Sequence, residues 1–196
     1  MGKSKKRKKP SHNPARQRVV PQEHSHEDGD AWIHTEPTPD GTGYMVTLIV
    51  DEDRSISLER PVAMEYAYTV LKVVSYAEYD AAVLKQITQR VDRESAMQIV
   101  VDLRKDRPEP DFAVMTPLSL EPGVNTRGEA FVVVKKDGEQ VGTWSVEQAR
   151  EHALTILEAI SVAELDEAYL RCLKGVIGVE GHIAQAMVGD LQEFRP

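Results

Sequence analysis

The chain has 196 residues, a formal net charge of -8, 41% hydrophobic and 29% charged residues, and one cysteine, Cys172. A lone cysteine excludes an intrachain disulfide framework, and no paired Cys or His spacing suggests zinc, so the expected setting is a reducing cytoplasm, or a virion if the chain is phage-encoded. No run approaches eighteen apolar residues and no signal-peptide core is present, which excludes a membrane-spanning helix and makes a soluble protein the expectation.

Charge is unevenly placed. Lys3, Lys5, Lys6, Arg7, Lys8, Lys9, Arg16 and Arg18 give the first 20 residues +8 with no acid, so the rest of the chain carries -8 - 8 = -16. Residues 1–42 show no periodicity and are interrupted by Pro10, Pro14, Pro21, Pro37 and Pro39, a composition predicted to be disordered because it cannot offset its ordering entropy. The eight cations are candidates for contact with nucleic acid or another polyanion. No aromatic residue precedes Trp32, so that contact is expected to be electrostatic, salt-dependent and indifferent to sequence. Trp32 and Ile33 form an apolar pair that could dock on the body or on a partner. His24, His26, Glu27, Asp28, Asp30 and His34 are ligand types, but an unstructured run preorganises no coordination geometry, and no metal is assigned.

Residues 43–108 read as a first folded unit. Tyr44–Val50 and Ser55–Leu58 predict a hairpin around Asp51–Arg54, followed by a helix over Pro61–Val74 with Pro61 in its first turn. A second helix is expected from Ser75, where Ser75 and Glu78 match a capping box, and a third over Arg93–Arg104, stopped by Arg107-Pro108. Residues 109–127, with Pro110, Pro117 and Pro122, read as a strap whose Phe112, Val114, Met115, Leu118 and Leu120 would hug a surface.

Residues 128–196 say the same thing again. At an offset of 86, thirteen positions across 44–87 recur identically in 130–173, among them Ser75, Glu78, Asp80 and Leu84 as Ser161, Glu164, Asp166 and Leu170. Beyond Gly175 the offset becomes 88, and Ala96, Val100 and Leu103 meet Ala184, Val188 and Leu191. The second unit predicts a hairpin turning at Asp137-Gly138, a helix over Val146–Ile160 opened by a Ser145–Gln148 capping box, another from Ser161, and a third over Glu180–Phe194. The expected fold is therefore α+β, a tandem ββααα repeat whose two hairpins share one sheet. Each unit is too small to be stable alone, so the two are expected to pack as one pseudo-two-fold body. Trp144–Ala153 resembles uncharacterised helical segments of actinobacterial and actinophage proteins; the resemblance covers about thirty residues and implies origin, not activity.

Chemistry is harder to find. Ser145, His152 and Asp166 can be written as a nucleophile set, but no G-x-S-x-G elbow surrounds any serine, and no phosphate loop or dinucleotide turn occurs. The repeated acids are explained as helix caps and first-turn charges. No catalytic residue and no cofactor is assigned. The reading is a non-enzymatic binding or assembly protein, its basic arm on a polyanion and its acidic body on a protein partner. The alternatives are a phage virion component and a small hydrolase or other enzyme with an unrecognised site.

Overall fold

The computed structural model describes residues 32–51, 54–108, 118–136 and 138–192. The basic residues between Lys3 and Arg18, and His24 to Asp30, lie outside them, as do Phe112, Val114, Met115 and residues 193–196. The fold is α+β, with two three-stranded antiparallel sheets in place of one shared sheet.

Strand formation begins earlier than the sequence pattern suggests. Trp32–Pro37 forms β1, which pairs with β2 (Tyr44–Asp51), and β2 pairs with β3 (Arg54–Leu58). β1 falls within the stretch read as an unstructured tail. It alternates polar His34 and Glu36 with Ile33 and Thr35, a period of two too short to stand out beside Pro37. Register aligns His34, Thr47 and Ser57 across the three strands. The buried Thr47 hydroxyl lies 3.0 Å from both Glu36 Oε2 and Ser57 Oγ. On the other side of β2, Tyr44, Val46 and Leu48 point inward.

The second sheet has the same order, β4 (Leu118–Val124), β5 (Ala130–Lys136) and β6 (Glu139–Ser145). β4 is built from residues expected to belong to the strap. A third strand on each hairpin supplies the pairing that a shared sheet would otherwise have to provide. Gly138 takes φ 84° in the β5–β6 turn. Gly123 is opposite Phe131, whose ring would lie 2.5 Å from any Cβ added there, so the aromatic ring takes the space over a bare backbone.

Each pair of helices expected to break at Ser75 or Ser161 is one helix, α1 (Arg60–Ile87) and α3 (Val146–Cys172). The element order is thus βββαα, twice in succession, where ββααα was expected. Ser75 and Ser161 do not cap; their hydroxyls donate to the carbonyls of Leu71 (2.9 Å) and Leu157 (3.1 Å), four residues back in the same helix. The true start of α3 is the expected capping box: Ser145 Oγ accepts from Gln148 N–H at 3.1 Å, and Gln148 Oε1 accepts from Ser145 N–H at 2.9 Å. α1 starts after Glu59, which makes no side-chain cap. α2 (Arg93–Lys105) is capped by Asp92, which accepts from Ser95 N–H. α3 runs through one π turn (Leu173–Ile177) to Gly178, whose φ of 78° reverses the chain into α4 (Gly181–Gln192).

The helices are exchanged between the sheets. α1 lies chiefly on β4 and β5, α3 chiefly on β1 and β2, and the two long helices pack against each other. Ala63, Ala67, Ala149 and Ala153 are fully buried in the main core, alongside Val70, Val73 and Ile156 and the inward faces of β2 and β5. Smaller clusters follow the same exchange. Tyr44 of β2 plugs the α3–α4 hairpin beside Leu170, Leu173, Ala184 and Val188, and Val124 of β4 plugs the α1–α2 hairpin beside Leu84, Ala96 and Val100.

Candidate partner-binding faces

The polar groups with the strongest chemistry are committed to structure. Asp80, fully buried in α1, accepts from Arg104 Nε at 2.7 Å and pairs with the Arg107 guanidinium. That guanidinium also lies 5.2 Å from the Tyr76 ring centroid and 5.1 Å from Tyr79. Asp166, equally buried in α3, accepts from Thr35 Oγ1 of β1 at 3.4 Å. Neither aspartate is the first-turn charge the sequence suggests, because the helix does not begin there.

Tyr66 and His152 meet where α1 packs on α3. Tyr66 Oη lies 3.2 Å from His152 Nε2, and Trp144 tilts over the imidazole at 4.8 Å between ring centroids. Burial holds the imidazole neutral, with its pKa pushed down to about 4, and raises that of the Tyr66 phenol. His152 and Asp166 are fourteen residues apart on one helix, about 21 Å, and Ser145 is occupied as the cap, so the structure does not assemble Ser145, His152 and Asp166. Among the described residues no three His, Cys, Asp or Glu side chains gather as a metal would require.

A cleft of about 470 Å³ lies between residues 38–45, the start of α1 and Glu167. Its β1–β2 loop is held by Asp40, which accepts from Thr38 Oγ1 (2.6 Å), Thr42 N–H (3.1 Å) and Thr42 Oγ1 (2.8 Å), keeping its carboxyl down at about 2. Arg60 bridges to Glu167 at 2.5 Å and to Glu164 at 3.9 Å. Ile33 is half-buried and packs on the main core, so this member of the apolar pair docks on the body; β1 also carries Trp32, whose side chain lies outside what is described.

The outer helix faces carry what the sequence reading passed over. Leu154 and Leu165 lie eleven residues apart on α3, about three helical turns, and are 53% and 66% exposed, and Val176, eleven residues on in the π turn, is 82% exposed. Tyr68 and Tyr79 hold the matching positions on α1 and are also exposed. On α4, Ala184 and Val188 face α3, Gln185 reaches the Gly41 carbonyl at 3.5 Å on one flank, and Ile183, Met187 and Leu191 lie exposed on the other. On α2, Ile99 and Leu103 are exposed in the same way. The eleven-residue spacing was present in the sequence, but periodicity marks an apolar stripe without saying whether anything covers it.

No described helix is long and apolar enough to cross a membrane. Comparison of the chain with protein-family models, with the curated proteins and with the solved structures returned no match.

Proposed function

We propose that this chain is a non-enzymatic binding or assembly protein made of two tandem βββαα units around a pseudo-two-fold axis. The offset of 86 that relates the units in sequence also separates Tyr66 from His152, and equivalent positions touch where an axis passes between them. Large apolar side chains left in solvent on the outer helix faces carry the binding reading: Leu154, Leu165, Val176, Ile183 and Met187 are each exposed, as residues that a protein partner covers would be. The buried polar groups supply the complementary argument, since Asp80 serves a helix pair and Thr47 and Asp166 serve core hydrogen bonds.

The basic residues Lys3 to Arg18 give this body a polyanion-binding arm. Eight cations can neutralise several phosphates, each adding about 0.9 to the log-log salt slope on duplex DNA, while a body at -16 repels the same duplex. Deleting residues 1–20 and titrating DNA binding against salt tests this half of the reading; undiminished binding by the truncated chain would place recognition in the body. Leu165→Glu tests the other half, and is expected to abolish partner capture without lowering the melting temperature, because the leucine is already in water.

A further inference from the structure

We propose that the outer flank of the α3–α4 hairpin, centred on Ile183, Met187 and Leu191 and continued by Val176 and Ile177, is the contact through which two copies of this chain associate about a two-fold axis. The proposal rests on the binding reading above and names the partner at this flank.

Charge selects the occupant. A two-fold contact places a patch against itself, so each charge near the axis meets its like. The chain beyond residue 20 carries -16, and most of its surface therefore penalises self-association. α4 is the exception: between Gly181 and Gln192 it has one carboxylate, Asp190, and no lysine or arginine. A basic protein partner is drawn to a different place. Asp40, Glu59, Glu164 and Glu167 outnumber Arg60 and Arg171 around the cleft on the opposite flank of the same hairpin, where Gln185 meets the β1–β2 loop.

The other hairpin acts as an internal control. α2 exposes Ile99 and Leu103 at the positions of Met187 and Leu191, yet within thirteen residues it also carries Arg93, Glu94, Asp102, Arg104 and Lys105. The matched helix carries five charged residues in the first unit and only Asp190 in the second, with Lys174 and Glu180 bordering Val176 and Ile177, so the second is the one better suited to meeting a copy of itself.

Sedimentation velocity of the full chain over a dilution series, at low and high salt, tests the idea. The expected result is a monomer–dimer equilibrium that high salt does not weaken, with the Met187 methyl resonance shifting on dilution. Met187→Glu and Ile183→Glu should each weaken association roughly a hundredfold, as for a central interface residue, while Ile99→Glu on α2 leaves it unchanged. Circular dichroism checks folding, and Ile183→Lys substitutes for any variant that fails. Dimers that survive both glutamate variants, or that dissolve in high salt as a contact between arm and body would, overturn the proposal. A chain that stays monomeric to millimolar concentration also overturns it. In that case, loss of another protein's binding in Met187→Glu leaves the binding reading standing, and no loss in either Met187→Glu or Leu165→Glu removes both.

Discussion

The α1–α2 and α3–α4 hairpins both close around an apolar plug, and in the α1–α2 hairpin a buried ion cluster is added to it. In the first, buried Asp80 is clamped by Arg104 and Arg107, and the Arg107 guanidinium also lies over the rings of Tyr76 and Tyr79. In the second, Leu173, Ala184 and Val188 close around Tyr44, and the chain turns through a π turn and Gly178. The plug is common to the two hairpins, and the Asp80 cluster adds a directional tie between α1 and the end of α2.

Breaking the Asp80 cluster should have the largest effect. Asp80→Ala leaves two guanidinium groups without their buried carboxylate and is expected to cost about 3–5 kcal/mol in urea unfolding. A loss under about 1 kcal/mol would mean that Arg104 and Arg107 are not committed to the clamp.

Acid should act at the seam between α1 and α3. His152 is neutral in the fold with a pKa near 4, against 6.5 for an unburied imidazole. The unfolded chain therefore binds more protons between those values, so its contribution is complete above pH 6.5, falls as pH drops through that window and is gone below about 4. The total is about 3 kcal/mol. Thermal melts at neutral pH and near pH 4 check it, and His152→Gln should flatten this part of the slope while keeping a hydrogen-bonding group beside Tyr66.

The helix starts sharpen the contrast at lower energy. Ser145→Ala removes a capping box and should cost about 1 kcal/mol, whereas Glu59→Ser, which gives α1 the side-chain cap it lacks, should gain about 0.5 kcal/mol in the same melts. Ser75→Ala is the smallest and the most diagnostic: a cap would lose about 1 kcal/mol, but a mid-helix serine bonded to Leu71 should change stability by less than about 0.5 kcal/mol, towards greater stability.

These serines also show how far the sequence could be read. Ser145 and Ser75 carry the same S-x-x-E/Q signal, and only what precedes them separates the two: a strand ends at Ser145, while helical residues without Gly or Pro run on through Ser75. The α+β class, both short helices and the buried stripe through Val146, Ala149, Ala153 and Ile156 were legible, because apolar spacing records which face turns inward. β1 and β4 were not, since Pro37 and Pro122 mask strands that are edges of their sheets and tolerate proline there. The exchange of helices was invisible for a different reason: a stripe does not say which sheet will cover it. The outer faces were missed likewise, though Tyr68 and Tyr79, and Leu154 and Leu165, share their eleven-residue spacing in plain sight.

The crossed placement of α1 and α3 also sets a timetable for biosynthesis. When Ile87 has been added, β2 and α1 are complete, but β4 and β5, which α1 will cover, and α3, which will cover β1 and β2, have not yet been made. At a synthesis rate of about 5–20 residues per second, the remaining stretch to Cys172 takes roughly 4–17 s. Throughout that interval Val46, Leu48, Val70 and Val73 can pack only on one another, so the nascent first half exposes apolar surface until the second half emerges.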